Sequence, residues 1–226
     1  MKTVVITGTS RGIGYELVRL FADAGHYVFA LSRNFQPIKD LNLPHVESLA
    51  CDLTDEKNLS EVVQHILNKK SKIDILINNA GQFLKQDFKN TVMKDVKSVY
   101  KTNVFGVFGL TSHLIEHFSN PAHVVTISSM GGVQGSVKFP GLAAYSSSKA
   151  AVITLTELLA EEYKETGISF NVLALGAVQT EMLAAAFPGL EAPVSAHDMA
   201  DYIFDFALKG HRFYNGKLLQ VANSTP

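Results

Sequence analysis

Tyr145 and Lys149 stand four residues apart in the run Tyr145-Ser146-Ser147-Ser148-Lys149, whose surroundings read as helix. Residues at i and i+4 share a helix face, so a phenol and an ammonium there meet the same ligand. Bringing a phenol from its ordinary pKa of about 10 to about 7 takes roughly 4 kcal/mol of differential stabilisation, which a neighbouring cation helps to supply. Taken alone, such a pair is more often structural than catalytic. A second run with chemical potential is Thr7-Gly8-Thr9-Ser10-Arg11-Gly12-Ile13-Gly14. Its glycines let the chain turn sharply, bring bare backbone close to an anion and pack a following helix tightly. The helix start then offers N–H groups and a positive dipole end to a phosphate. The spacing is GxxxGxG rather than the GxGxxG of the dinucleotide fingerprint, so the fingerprint does not match as written and a structural turn stands as the minority alternative.

The residues after the next strand bear on which nucleotide such a loop would hold. An acid about 20 residues past the loop would bind a ribose 2′-hydroxyl and repel a 2′-phosphate. Here the stretch is Ala30-Leu31-Ser32-Arg33-Asn34, with no carboxylate. Arg33, with Arg11 in the loop, carries forked donors suited to phosphate oxygens. Two loop arginines are commonly just solvated charges, but with the acid missing the pattern favours NADP(H) over NAD(H). His113 and His117 have a metal-like i,i+4 spacing, yet no glutamate lies between them in zincin order and no third ligand is evident; a solvated helix face is the better reading, and no metal is expected. Cys51 ends an apolar run with no basic neighbour in sequence and reads as inert core.

The elements that must position these groups alternate. Apolar, β-branched runs at Thr3–Thr7, Tyr27–Leu31, Val46–Ala50, Ile73–Asn78, His123–Ser128, Ser169–Ala174 and Lys217–Val221 read as strands. Helical periodicity fills Gly12–Ala24, Glu56–Asn68, about Thr91 to Phe118, Ala143–Thr166 and Ala196–Leu208. Strands that are apolar on both faces, alternating with helices, predict parallel βαβ units wound on both sides of one sheet. With 226 residues, a sizeable core forms without disulfides, and the lone Cys51 excludes an internal one. A net charge of −1 gives no basic field for nucleic acid, and no apolar run reaches the roughly 18–20 residues of a membrane span. Thr3–Thr7 is only strand length and runs straight into the glycine loop, so no cleaved leader is expected; a cytoplasmic, reducing location and one domain over residues 1–226 follow. Leu183–Ser195, with Pro188, Gly189 and Pro193, reads as a lid rather than a boundary.

In combination the motifs say more. The glycine loop, Asp52-Leu53 after the third strand, Asn78-Asn79-Ala80-Gly81 after the fourth, Asn103 in the following helix, Ser128-Ser129 after the fifth strand and Tyr145/Lys149 occur in one order from Thr3 to Val221. In this the chain resembles the short-chain dehydrogenase/reductase family. The resemblance implies a Rossmann-like, doubly wound α/β fold of about seven parallel strands with helices on both faces. It implies that Gly8, Ser10, Arg11, Gly12, Ile13 and Gly14 meet the diphosphate side of a nicotinamide dinucleotide, Ser32 and Arg33 its ribose phosphate, and Asp52 and Leu53 its adenine. Asn79, Ala80 and Gly81 would line the nucleotide site, while Val178 by backbone and Thr180 by side chain would anchor the carboxamide. Tyr145 would be the acid that protonates a carbonyl oxygen as hydride arrives, or the base in reverse. Lys149 would hold the nicotinamide ribose and lower the tyrosine pKa, Ser129 would polarise the carbonyl, and Asn103 would hold a relay water.

Three departures stand out. Ser129 precedes Tyr145 by sixteen residues, about three more than usual in the family, so Met130–Pro140 is expected to bulge over the substrate and Ser128 is the alternative serine. Leu175 replaces the proline common before Gly176, predicting a less rigid turn. The lid is short, predicting a small, open pocket. Gln82, Phe83, Leu84, Met130, Val133, Gln134, Leu183, Ala186 and Phe187 are the candidate pocket residues, mostly apolar and without a cationic cluster. The reading is an NADP(H)-dependent enzyme interconverting a small apolar ketone, aldehyde or 3-oxoacyl compound and its alcohol; the alternative is a catalytically silent NADP(H)-binding sensor or scaffold. The resemblance also implies a homodimer or homotetramer, with Phe105 and Phe108 on the helix that meets a partner subunit.

Overall fold

Each apolar run pairs with its neighbours along one sheet. The structure, a computed structural model, describes residues 1–222. In chain order the elements are β1 (Thr3–Thr7), α1 (Gly12–Asp23), β2 (Tyr27–Ser32), α2 (Gln36–Lys39), β3 (Val46–Ala50), α3 (Glu56–Lys69), β4 (Ile73–Asn78) and α4 (Met93–Tyr100). A π turn over Lys101–Phe105 joins α4 to α5 (Gly106–Leu114). There follow β5 (Phe118–Ser129), α6 (Ala143–Glu162), β6 (Ile168–Leu175), β7 (Val178–Gln179), α7 (Glu181–Ala186), β8 (Val194–Ser195), α8 (Ala196–Lys209) and β9 (Lys217–Val221). Seven strands form one sheet in the order β3-β2-β1-β4-β5-β6-β9, every pair parallel. The expected doubly wound, Rossmann-like α/β fold is the one found.

Alternation along the strands divides the core. Val4 and Ile6 of β1 face Leu17, Val18 and Phe21 of α1 and Ile203 and Phe206 of α8. Val5, between them, faces the opposite layer, with Leu59 and Val63 of α3, Leu110 and Leu114 of α5 and Ala160 of α6. Phe21 is fully buried and meets Phe204 edge-on at 4.7 Å, so its loss would cost about 3–5 kcal/mol. Gly106 and Gly109 permit the close approach of α5: a Cβ on Gly106 would stand 2.7 Å from Leu53 Cβ, and one on Gly109 3.1 Å from Leu59 Cδ2.

Chain order reverses between β1 and β4, and crossovers to opposite sides leave a crevice beyond their carboxyl ends, where doubly wound sheets bind ligands. The predicted Thr91–Phe118 helix is interrupted by the π turn, and β5 begins five residues earlier than His123, because Phe118 pairs with Ile73. Within the anticipated lid, α7 and the short β7–β8 pair supply a frame that no periodicity announced.

Candidate active site

A cleft of about 900 Å³ runs along the carboxyl ends of the central strands. One end is the loop from β1 to α1. Gly8 has φ +73 and lies so close to the turn after β4 that a Cβ there would stand 2.7 Å from Ala80 Cα. Asn79 ties the two loops together: its Nδ2 donates to the carbonyls of Thr7 and Gly8 at 2.9 and 3.2 Å, and Thr7 Oγ1 accepts from the N–H groups of Asn79 and Ala80, both at 3.0 Å. The first turn of α1 has no acidic residue, and its N-cap, Arg11, makes no side-chain capping bond. Thr9 Oγ1 nearby is buried and has no hydrogen-bond partner among the described residues. A bare glycine backbone, an uncapped helix start and positive φ at Gly8 and Gly12 are features that a diphosphate fits.

Further along, Ser32, Arg33 and Asn34 line the same wall as Arg11. Neither arginine has an ion-pair partner among the described residues. Asp52 is fixed by its own turn, since Thr54 N and Oγ1 both donate to Oδ1 at 2.9 Å. The cleft is also lined by Ser10, Ile13, Leu53, Gly81, Val178 and Thr180. Thr180 caps α7 by accepting from Leu183 N at 3.2 Å.

At the other end, α6 brings Tyr145 and Lys149 to the tip of β5. The Ser129 hydroxyl accepts from Gly131 N at 3.4 Å and lies on the phenol side of Tyr145, where it favours the ionised form. Ser128, the alternative serine, is buried and donates instead to the Lys149 carbonyl at 2.8 Å, so its hydroxyl is spent on holding α6 against β5. Desolvation at its half-buried position raises the Tyr145 pKa above the ordinary phenol value, and the nearby Ser129 hydroxyl only partly opposes it. Lys149 is only 5% exposed; its Nζ donates to Ile127 O at 2.8 Å and lies 6.0 Å from the phenol ring centre. Burial pulls the Lys149 pKa down to about 8. Lys149 Nζ is thus held by a strand carbonyl, and desolvation outweighs the Ser129 hydroxyl at the phenol; the expected lowering of the tyrosine pKa, by Lys149 together with an oxidised nicotinamide ring, belongs to the proposed mechanism.

Two other expected residues lie outside the cleft lining. Gly14 faces inward, where a Cβ would stand 2.3 Å from Gly8 O and 2.6 Å from Asn79 Nδ2, so it allows helix and loop to touch rather than contacting a ligand. Asn103, 1% exposed, sits on the π turn, where an inserted residue re-aims the side chain. Its Nδ2 donates to Gln82 O and Ser148 Oγ at 3.0 and 2.9 Å, and its Oδ1 accepts from Gln82 N at 2.7 Å. Both amide protons are thereby occupied, so the side chain braces the loop after β4, and a relay water would be held by another atom of Asn103.

Of the expected pocket residues, Phe83, Met130, Leu183, Ala186 and Phe187 line the cleft, whereas Gln82, Leu84, Val133 and Gln134 do not. The Gln82 side chain turns to Ser98 and Thr102, and Val133 is buried beneath the longer serine–tyrosine loop. That loop does not simply bulge. A Cβ on Gly132 would stand 2.8 Å from Ala150 N, and Gln86 N donates to Gly141 O at 2.8 Å, so both its ends are seated on neighbours. Its unanticipated contributions to the cleft are Phe139 and Leu142. Phe83 packs 4.7 Å from the Tyr145 ring and 5.9 Å from Phe187. Leu175 stays in the ladder, in register with Ser129 and Val221, so the missing proline lengthens β6 instead of loosening the turn.

A profile of the family described as short chain dehydrogenase matches residues 2–191. The 3-oxoacyl-[acyl-carrier-protein] reductase FabG of Thermotoga maritima is 32% identical over 191 residues, spanning 80% of this chain and 76% of that protein. Among solved structures, the 3-ketoacyl-(acyl-carrier-protein) reductase from Brucella melitensis complexed with NADH superposes with a TM-score of 0.89 over 97% of this chain and 96% of that one, at 24% identity, a likeness of fold. ElxO with NADP bound gives 0.85 over 98% and 97%, at 28% identity.

Proposed function

The chain belongs to the short-chain dehydrogenase/reductase family and is an NAD(P)-dependent oxidoreductase, and from that premise we propose that it interconverts a small, mostly apolar ketone, aldehyde or 3-oxoacyl compound and the corresponding alcohol, with NADP(H) preferred. The observation that carries this reading is the gathering of Ser129, Tyr145 and a buried Lys149 on the wall of one cleft that continues to the glycine loop. A bound dinucleotide would supply the hydride in reduction and take it up in oxidation. Gly8, Ser10, Arg11, Gly12 and Ile13 would hold its diphosphate, Ser32 and Arg33 the 2′-phosphate, and Asp52, Leu53, Asn79, Ala80 and Gly81 the adenosine side. Val178 and Thr180 would hold the carboxamide. The two unpaired guanidiniums and the absence of an acid at the end of β2 support the 2′-phosphate assignment.

In reduction, Ser129 and Tyr145 hydroxyls converge on the carbonyl oxygen and Tyr145 transfers its proton there, giving the alcohol. A phenol whose pKa is raised by burial is fully protonated at neutral pH, which suits a proton donor. Lys149 would offer its N–H groups to a ribose, and below its pKa of about 8 its ammonium, beside the Tyr145 ring, would favour the phenolate left behind. Phe83, Met130, Phe139, Leu142, Leu183 and Phe187 wall the substrate end, and an apolar lining of this kind favours a neutral substrate. The reading includes one catalytic domain in a reducing cytoplasmic setting, assembled as a homodimer or homotetramer through the face bearing Phe105 and Phe108, 61% and 58% exposed; a monomer mass by light scattering would refute the assembly. Among the described residues no helix is long and apolar enough to cross a membrane.

The test is a carbonyl panel followed by NADPH absorbance. Wild-type chain should turn over apolar members, and Tyr145→Phe should bind NADPH equally while losing about 10²–10⁴-fold in rate, the usual range for a general acid. Tight NADPH binding with no turnover of any panel member would replace the enzyme by the sensor reading.

A further inference from the structure

Glu181 is the first residue of α7, and its carboxylate reaches across the cleft to the glycine loop. Its Oε2 lies 3.4 Å from the point where a Cβ on Gly12 would stand, with Thr180 Cγ2 at 3.5 Å from the same point. Gly12 opens α1, whose first turn carries no acid of its own and whose N-cap residue makes no side-chain bond. The Glu181 side chain is solvent-facing, and among the described residues it has no ion-pair partner. The carboxylate therefore stands beside the first residue of α1, the end of the helix whose N–H groups and positive dipole a diphosphate would use.

We propose that Glu181 is a built-in counter-anion of the dinucleotide site, competing with the diphosphate for the start of α1 and so setting how tightly the cofactor is held. The proposal rests on the assignment of the glycine loop to the dinucleotide. A like charge at that distance opposes binding, and it does so equally for NADPH and NADH, because the diphosphate is common to both. On the proposed assignment Arg33 acts in the opposite sense and on NADPH alone, since it would meet only the 2′-phosphate. The carboxylate is carried by the helix that also brings Leu183, Ala186 and Phe187 to the substrate end. Pushing the diphosphate and this helix apart favours opening and release, steps that commonly limit turnover in enzymes with lids. Glu181 is thus a positioning residue that tunes cofactor exchange and takes no part in proton or hydride transfer.

The experiment is isothermal titration of the intact chain with NADPH and with NADH at low salt, comparing wild type, Glu181→Gln and Glu181→Asp, with dissociation followed by stopped-flow nucleotide fluorescence. Glu181→Gln should tighten both cofactors by the same factor, roughly three- to tenfold for one partly exposed charge near a helix end, and slow dissociation correspondingly. Glu181→Asp keeps the charge and should stay closer to wild type than Glu181→Gln does. Wild-type binding that is unchanged within about twofold, or weakened, in Glu181→Gln would overturn the counter-anion role and leave the dinucleotide site standing. Absence of binding of either nucleotide to wild type would overturn both together.

Discussion

Lys149→Met tests whether the site is held at a cost in stability. The lysine is buried, and its pKa falls from the ordinary 10.5 to about 8. Between those values the unfolded chain binds a proton that the folded chain has released, so stability rises with pH across that window; below about 8 the folded chain carries the full cost of a desolvated ammonium. The difference amounts to about 3 kcal/mol. Methionine matches the stem but abandons the bond to Ile127 O, a carbonyl within the β5–β6 ladder, which returns about 1 kcal/mol to the debit side. The net gain at pH 7 is about 2 kcal/mol, or a Tm higher by about 4–8 °C for a chain of this size. Melts of wild type and variant at pH 7, 8.5 and 10.5 should show that advantage shrinking with pH and reversing slightly at the top, while catalysis is lost throughout. A Tm difference that stays flat with pH, or a variant less stable at pH 7, would refute the reasoning.

Arg33→Ala should weaken NADPH by about 1.5–3 kcal/mol, one to two orders of magnitude in Kd, and leave NADH almost unchanged; equal losses in titrations of both would remove the 2′-phosphate role. Gly14→Ala must push the Gly8 carbonyl aside from 2.3 Å, so it should lower Tm by the equivalent of about 1–3 kcal/mol and abolish measurable NAD(P)H binding, read by melting and calorimetry; a variant that binds normally would show that the loop is not set by this contact. His123 is buried, with Nδ1–H donating to Ala207 O and Nε2 accepting from Asn171 Nδ2, and burial holds its pKa down to about 4. Its folded pKa lies below the unfolded 6.5, so its contribution to stability is lost as pH falls from about 6.5 to 4, and NMR should find the ring neutral at pH 5.5; titration near 6.5 would contradict the packing.

The central strands of the sheet were legible because they are buried on both faces. Val4-Val5-Ile6 leaves no polar position for another reading, while the right-handed crossover rule sets the hand of each βαβ unit and the strand order is read only from the pairings. The chemistry-bearing residues were legible from their types and their order. Less accessible was where each side chain points. Asn103 lies on a π turn, and a local backbone insertion leaves no mark on hydrophobic periodicity. Gly14 and Gly12 look alike as letters, yet one faces the Gly8 carbonyl and the other the cleft. The direction of the Tyr145 pKa depends on burial set by Phe83, a residue far away in sequence. Phe139 and Leu142 enter the cleft only because Gly132 and Gly141 seat their loop on α6 and on the turn after β4, a tertiary contact with no local signature.

The central claim is that the hydroxyls of Ser129 and Tyr145 act on one oxygen. A crystal structure of the chain with NADP and an unreactive carbonyl analogue measures this directly. Both hydroxyl oxygens should lie within about 2.6–3.2 Å of the analogue's oxygen, with its carbonyl carbon against the nicotinamide ring. An analogue seated elsewhere, or a Ser129 hydroxyl turned back toward Gly131 with the ligand in place, would contradict the account.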